Sequence, residues 1–250
     1  MTELFLIGIG TGNPGHLTGE GRRTIAEADL ILIPRKGPKK SDLADLRHQI
    51  VAHVCPDGSA PVAEFDLPTR DPDLPYLEAV ERWHDAIALI WAETIASAKP
   101  DAQRVALLVW GDPSLYDSTL RIAARLSPAP KVRVVAGITS LQALTAAFAI
   151  PLNTLAAPFT VTTGRNLRDH GWPEGAETLA VMLDGDCAFQ TLDLPRYHIW
   201  WGAYLGMSEQ ILASGALSDI CDTIIDMRAR ARREHGWIMD TYLLRQLQNE

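Results

Sequence analysis

Runs of apolar residues, separated by glycine, proline and polar residues, divide the chain into predicted strands. Residues 4–9, 30–33 and 105–110 are apolar apart from one glycine, which is typical of strands buried on both faces of a parallel sheet. Residues 159–163 instead alternate between apolar and polar positions, as a half-buried strand does. We predict four more strands, at residues 132–135, 179–183, 198–201 and 223–226.

A second pattern, with apolar residues every three or four positions, predicts a long amphipathic helix over residues 76–98. We predict shorter helices at 18–29, 118–126, 141–148 and 208–214. Strands that alternate with helices favour the α/β class. The expected architecture is therefore two α/β domains, residues 1–120 and 121–250, the second with mixed strand directions.

Composition and charge narrow the functional classes. The 250 residues carry a formal net charge of −8, which argues against nucleic acid as a partner. The three cysteines are far apart and lack metal-ligand spacing, so we expect packing roles in a reducing compartment and no metal site. No apolar segment approaches the length of a membrane span, and no basic region precedes the first strand. We therefore expect a cytoplasmic protein without membrane contact.

Candidate chemistry lies where predicted strands end. Gly111, Asp112 and Pro113 follow a buried strand, and strand-to-helix turns of this kind present ligands at the carboxyl edge of an open sheet. Thr139 and Ser140 stand at a predicted helix start, where hydroxyl and N–H groups can contact a ligand. An ordinary turn and ordinary helix capping explain both stretches equally well.

A dinucleotide-binding fingerprint fits the first glycine-rich loop poorly. Gly8 and Gly10 match its first two glycines, but Asn13 stands where the third is required. The second strand runs into Pro34 and Arg35, and not into the acidic residue that would bind a ribose.

Taken together, four ordered motifs resemble the tetrapyrrole methylases, which are S-adenosylmethionine-dependent enzymes of vitamin B12 and sirohaem biosynthesis. The resemblance covers essentially the whole chain. The motifs are Gly8-x-Gly10-x-Gly12-x-Pro14 with Leu17-Thr18, Gly111-Asp112-Pro113 with Tyr116, Gly137-Ile138-Thr139-Ser140, and Gly206-Met207-Ser208-Glu209-Gln210-Ile211.

The resemblance implies two α/β domains with S-adenosylmethionine in the cleft between them, and a homodimer. Carried over by motif, the cofactor contacts fall on Thr11, Trp110, Gly111, Asp112, Leu115, Thr139, Ser140, Met182, Leu183, Ala203, Tyr204 and Leu205. The product of the cofactor would be S-adenosyl-L-homocysteine.

Within the family, the basic loop after residue 33, Trp110 and the tryptophan-rich strand are most similar to a member that methylates C-1 of precorrin-5. That reaction also removes a two-carbon fragment as acetic acid. Methyl transfer from a sulfonium needs alignment and a dry site more than an acid or a base. Acetate release requires a positioned water, for which Tyr116, Asp112 and Asp184 are candidates. Asp112 as a turn-former and Tyr116 as a cleft wall are equally good interpretations.

Substrate contacts are expected on Gly10, Gly12, Arg35, Lys36, Lys39 and Lys40. The four basic residues lie within six positions of an acidic chain, and a precorrin carries many carboxylates. A solvated surface loop is the alternative interpretation of this cluster.

Other functions remain open at this point. The chain could methylate another precorrin, or a protein side chain as diphthine synthase does. A non-catalytic carrier of a corrin intermediate and a nucleotide-dependent oxidoreductase are the remaining alternatives. A carrier would not need the Gly-Asp-Pro and Thr-Ser loops, and the missing third glycine counts against the oxidoreductase.

Overall fold

The computed structural model describes residues 2–35 and 42–247. It divides the chain into two compact units on either side of the bond between Thr139 and Ser140. Within the described residues, each unit contains a five-stranded sheet flanked by helices, so the predicted α/β class is confirmed. No helix in these ranges combines the length and the apolar character that crossing a membrane requires.

The sheet of the first unit is parallel throughout. Its strands are β1 (Glu3–Gly8), β2 (Leu30–Arg35), β3 (Val62–Asp66), β4 (Arg104–Val109) and β5 (Lys131–Val135), in the spatial order β3-β2-β4-β1-β5. The helices are α1 (Gly19–Ala26), α2 (Asp42–Val54), α3 (Tyr76–Ala98) and α4 (Thr119–Ala123). Because β4, β1 and β5 are neighbours, the loops that follow them lie side by side at the carboxyl edge of the sheet.

The central strands of this sheet are buried on both faces, as their apolar sequences predict. Leu4 and Leu6 of β1 pack with Trp91 of α3 on one face, while Phe5 and Ile7 pack with α1 and α2 on the other. Helix α3 matches the predicted residues 76–98 at both ends.

The second unit has a mixed sheet, in the spatial order β6-β7-β10-β8-β9. Its strands are β6 (Thr160–Thr163), β7 (Thr178–Met182), β8 (Tyr197–Ala203), β9 (Ile211–Ala216) and β10 (Asp240–Gln246), and its helices are α5 (Ser140–Phe148), α6 (Gly164–His170) and α7 (Leu217–His235). Strand β10 is antiparallel to both of its neighbours, and β6 is parallel to β7.

Two predicted elements of the second unit are wrong. Residues 208–214 were expected to be helical, but Ile211–Ala216 form β9, which pairs with β8 along its whole length. Residues 223–226 were expected to be a strand, but they lie inside α7, which buries Cys221, Ile224 and Arg228 on one face. In both cases tertiary contacts override the local β or helix preference of a short segment.

The boundary between the units also differs from the expected division at residue 120. Strand β5 pairs with β1 from Glu3 to Ile7, so the first sheet continues beyond the proline-rich stretch near residue 130. Helix α2 and strand β10 were not predicted.

Candidate functional site

Three glycines bring the loops after β1, β4 and β5 into backbone contact. A side chain on Gly137 would place its Cβ 2.1 Å from the Gly111 carbonyl oxygen, and one on Gly8 would place it 2.6 Å from the Gly137 nitrogen. Gly10 and Gly111 also exchange backbone hydrogen bonds, at 2.8 and 3.3 Å. The glycines singled out in the sequence therefore let three loops pack at one edge of the sheet.

The carboxylate of Asp112 links two of these loops. One oxygen accepts a hydrogen bond from the Gly137 N–H at 2.8 Å, and the other accepts from the N–H and hydroxyl of Ser114. Burial raises the pKa of Asp112, but the donors on Ser114 and Gly137 outweigh it and hold the pKa below its usual value. Both oxygens are thus used in holding the turn, which favours the turn-forming role over a catalytic one.

The loop after β1 contains a histidine that is not among the site residues predicted from the sequence. His16 Nδ1 lies 3.0 Å from the hydroxyl of Thr11, a predicted cofactor contact. A Cβ on Gly10 would lie 2.5 Å from the His16 Cβ, so the histidine packs directly on the glycine turn. Burial lowers the pKa of His16. The signal that could have found it is an imidazole inside a glycine-rich strand-to-helix loop.

Trp110 stands between β4 and the Gly111 turn, beside a buried cation. The guanidinium carbon of Arg47 lies 5.2 Å from the centre of the Trp110 ring, and its Nε donates to the Leu108 carbonyl at 3.0 Å. Burial lowers the pKa of Arg47 to about 10, although the charge of Asp117 raises it. The Trp110 Nε1–H is buried and has no hydrogen-bond partner among the residues that the structure describes.

Ser140 contributes a second buried polar atom of this kind. Its hydroxyl oxygen lies at the start of α5 and has no partner within the described part of the chain. Buried polar atoms are nearly always hydrogen-bonded, so an unpaired one calls for an explanation such as a bound ligand. Both Trp110 and Ser140 are predicted cofactor contacts.

The loop after β7 holds Asp184 in a closed network. Its carboxylate accepts hydrogen bonds from the Ala188 N–H at 2.6 Å, from the Asp186 N–H at 3.0 Å and from the Tyr242 hydroxyl at 2.7 Å. A Cβ on Gly164 would lie 2.3 Å from this carboxylate, so it has no room to turn toward a substrate. This arrangement favours a structural role for Asp184 over the predicted catalytic one.

The loop after β8 is also held from within its own unit. Tyr204 donates from its backbone N–H to Met239 at 3.0 Å and from its hydroxyl to the Trp237 carbonyl at 2.6 Å. Burial raises the pKa of the Tyr204 phenol to about 12. Ala203 and Leu205 on either side are buried, so this segment has a fixed backbone.

A buried ion pair supports the loops after β7 and β8. Arg228 Nε lies 2.9 Å from an oxygen of Asp240, which also accepts a hydrogen bond from Trp201 Nε1 at 2.9 Å. Arg228 donates in addition to the Asp184 carbonyl at 2.8 Å. The pair therefore ties the Asp184 turn to the start of β10, next to the Met239 carbonyl that holds Tyr204.

Six non-glycine residues of the described chain have positive φ angles, and three of them are predicted site residues; the others are Ala149, Ala156 and Cys187. Tyr116, Leu183 and Tyr204 have positive φ angles of 50°, 53° and 49°, in the left-handed region that non-glycine residues rarely adopt. Leu183 is also 65% exposed and directly follows β7, which ends at the half-buried Met182. Such conformations persist where the surrounding structure enforces them, and they cluster at ligand sites.

The remaining predicted residues are placed as follows. Leu115 is half-buried, and its N–H donates to the Asp112 carbonyl at 3.2 Å. Gly10 and Gly12 have positive φ angles of 74° and 109°. Arg35, at the end of β2, is exposed and forms an ion pair with Glu64 at 2.6 Å. Lys36, Lys39 and Lys40 lie outside the described residues.

Comparisons with known proteins agree with these motifs. The family described as Tetrapyrrole (Corrin/Porphyrin) Methylases matches residues 3–221. A precorrin-6A synthase (deacetylating) of Sinorhizobium sp is 43% identical over 250 residues, which cover 98% of this chain and 95% of that protein.

Solved structures are similar over the same length. A cobalamin synthesis related protein (CobF) from Corynebacterium diphtheriae is 38% identical with a TM-score of 0.84, covering 99% of this chain and 100% of that chain. A uroporphyrin-III C-methyltransferase from Thermus thermophilus, solved with S-adenosylhomocysteine, is 20% identical with a TM-score of 0.58. It covers 97% of this chain and 96% of that chain, and at this identity it shows the fold alone.

Proposed function

Because the chain belongs to the tetrapyrrole methylase family, we propose that it is an S-adenosylmethionine-dependent methyltransferase of cobalamin biosynthesis. The proposed reaction transfers a methyl group to ring carbon C-1 of precorrin-5 and releases acetate, giving precorrin-6A. The observation that carries this proposal is the 43% identity, over 98% of the chain, to a precorrin-6A synthase (deacetylating).

The described residues fit S-adenosylmethionine as the methyl donor. The buried, unpartnered Nε1–H of Trp110 and hydroxyl of Ser140 are polar groups that a bound ligand could pair. The resemblance also places cofactor contacts on Gly111 of the first unit and on Leu183 and Tyr204 of the second, and all three have positive φ angles. When bound, the sulfonium supplies an electrophilic methyl carbon, and S-adenosyl-L-homocysteine is left.

In this proposal the protein contributes alignment more than acid or base chemistry to the methyl transfer. The half-buried Trp110 beside the Gly111 turn offers an apolar surface that would exclude water from a site where charge is neutralised. Asp112 keeps the Gly111 turn in place through its bond to Gly137. Tyr116 remains a candidate wall of the site, and partial burial raises the pKa of its phenol.

The basic loop is proposed to attract the carboxylates of the precorrin. Arg35 contributes less than its charge suggests, because Glu64 already neutralises it. The lysines at 36, 39 and 40 are then the main positive charges of this segment. We further propose a homodimer in the cytoplasm, on the basis of the family resemblance and the three free cysteines.

The test is incubation with precorrin-5 and S-adenosylmethionine labelled in its methyl group. We expect a pigment that carries one label, together with one equivalent of acetate measured independently. A labelled pigment without acetate would point to another precorrin methylase. Binding of the pigment without any transfer would point to a carrier, and label in protein would point to an activity like that of diphthine synthase.

A further inference from the structure

Release of acetate requires a base, whereas the methyl transfer does not. Water must lose a proton as its oxygen attacks the acetyl carbonyl carbon, and a positioned side chain accelerates such a step. The inference below rests on the proposed function, because it concerns this half of the reaction.

The two carboxylates predicted as candidates are poorly suited to that role. Asp112 accepts hydrogen bonds from Ser114 and Gly137, and Asp184 accepts them from two backbone N–H groups and Tyr242. Either carboxylate would have to give up bonds that hold its turn before it could accept a proton from water.

His16 has the features that these carboxylates lack. It lies in the loop at the carboxyl end of β1, where its Cβ packs on the Gly10 turn that is bonded to Gly111. Its side chain is half-buried, and its Nδ1 lies 3.0 Å from Thr11 Oγ1. Within the described part of the chain, its Nε2 has no hydrogen-bond partner.

Burial lowers the pKa of His16, which favours the neutral ring that a base requires. Arg22 of α1 reaches the same loop, but its guanidinium donates to the Pro14 carbonyl at 3.1 Å. If Nδ1–H donates to Thr11, the lone pair of Nε2 is left to accept a proton, and the hydroxyl fixes the tautomer.

We propose that His16 is the general base of acetate release and that Thr11 positions its ring. Nε2 takes a proton from water as the water oxygen bonds to the acetyl carbonyl carbon. Collapse of this adduct breaks the bond from that carbon to C-1, and its electron pair stays on C-1, where the methyl group is then added. Acetic acid leaves, and the imidazolium returns its proton to solvent.

The test compares His16→Asn and His16→Ala with His53→Asn, a change of an exposed histidine on α2 of the same unit. We expect both His16 variants to release acetate about 10²–10⁴ times more slowly, and the His53 variant to match the wild type. The Asn side chain can still form a hydrogen bond with Thr11, so this variant controls for a loss of loop structure. Calorimetry should show unchanged affinity for S-adenosylhomocysteine in all three variants.

Three further measurements separate a base from a merely structural side chain: a pH profile matched to an NMR titration, rescue by imidazole, and substitution of Thr11. The wild-type rate should fall at low pH as the imidazole becomes protonated, with the same midpoint as the NMR titration of the His16 ring, and this dependence should vanish in His16→Ala. Added imidazole should restore acetate release to His16→Ala. Thr11→Val should shift the titration and slow the release, while Thr11→Ser should restore both.

Each outcome decides between the two proposals. A wild-type protein that releases no acetate from precorrin-5 overturns the proposed function and this inference with it. A wild type that releases acetate beside His16 variants that do so equally fast overturns this inference alone. Slow variants that also lose S-adenosylhomocysteine binding, and that imidazole does not rescue, make His16 a structural residue.

Discussion

The carboxylate of Asp112 accepts a hydrogen bond from the backbone N–H of Gly137 at 2.8 Å, so a single side chain joins the loops after β4 and β5. These loops contain Gly111 and Thr139, both predicted cofactor contacts. The bond spans 25 positions of the chain and lies where three glycines bring the backbones together. It makes the shape of this edge of the sheet depend on the ionised form of Asp112.

Replacing Asp112 with Asn should destabilise the protein by about 2 kcal/mol, since the amide cannot accept at both of its polar atoms and a partly buried donor is left unpaired. Urea unfolding measures this loss. Asp57→Asn is the matched control, because Asp57 bonds to Ser59, two positions further along its own exposed turn. Equal losses in the two variants would contradict the cross-loop role.

The Asp112 contribution should also depend on pH. Its pKa in the folded protein lies below the ordinary value, despite the opposing effect of burial, because Ser114 and Gly137 donate to it. Its stabilising effect is therefore complete above the unfolded pKa of about 3.9 and disappears as the pH falls through the lower folded value. The difference in unfolding free energy between wild type and Asp112→Asn should be constant near neutral pH and shrink below about pH 4. A difference that grows on acidification would show that the carboxylate is not held as an ion.

Gly111→Val should weaken the binding of S-adenosylhomocysteine at least about tenfold, equivalent to 1.4 kcal/mol. Gly111 has a φ of 62°, which a branched side chain opposes, and the added carbons would stand where the ligand is expected to approach. Gly58→Val is the control, because Gly58 has a similar φ of 71° and nothing within 4 Å of an added Cβ. Calorimetry on both folded variants separates strain from contact, and normal binding by Gly111→Val would remove this turn from the contact surface.

Asp240→Ala should destabilise the protein by about 3–5 kcal/mol, because it leaves the Arg228 guanidinium buried without its counter-ion. The double change Asp240→Leu with Arg228→Met should cost less than the single one, since no unpaired charge remains. Glu78→Gln breaks the exposed pair with Arg82 and should cost at most about 1 kcal/mol. Thermal and urea unfolding provide the comparison, and similar losses from the buried and the exposed pair would contradict it.

Changing Lys36, Lys39 and Lys40 together to Gln should raise the Michaelis constant for the tetrapyrrole by roughly tenfold if the three charges contribute about 1.4 kcal/mol in all. Affinity for S-adenosylmethionine, a net cation, should hardly change. The control replaces three exposed arginines of α7 with Gln and lowers the net charge equally; they are Arg230, Arg232 and Arg233.

Salt distinguishes the two triple variants further. Added salt should weaken substrate binding by the wild type more than by the lysine variant, because exposed charges are screened. If the lysine and arginine variants behave alike at low salt, the loop acts only through overall charge.

The sequence by itself determined the class of fold and several of its buried elements. Helix α3 and the central strands β1, β2 and β4 follow from apolar spacing, because a segment must bury its apolar side chains whatever its neighbours are. The ordered glycine, Gly-Asp-Pro and Thr-Ser motifs likewise sufficed for the family, since those residues meet backbone requirements that few others meet.

Only the tertiary structure decided how segments that are distant in the chain pair and pack. Strand β9 depends on pairing with β8, although residues 208–214 taken alone favour a helix, and residues 223–226 lie inside α7, although taken alone they favour a strand. Strand β10 lies between β7 and β8, although it follows both of them in the chain. A sequence pattern is read over a short stretch of the chain, and contacts with distant segments cannot be seen in such a stretch.

For the same reason, the sequence identified candidate residues but did not determine their roles. The side chains of Asp112, Asp184 and Arg35 are of types that serve in catalysis or substrate binding. In the folded chain they are instead bonded to other residues of the protein, namely Gly137, Tyr242 and Glu64 respectively. His16 has an ordinary place in the sequence and becomes a candidate base only through its approach to Thr11 and the burial of its ring. Charge and hydrogen-bonding capacity belong to a residue type, whereas their availability is set by the neighbours that folding brings to it.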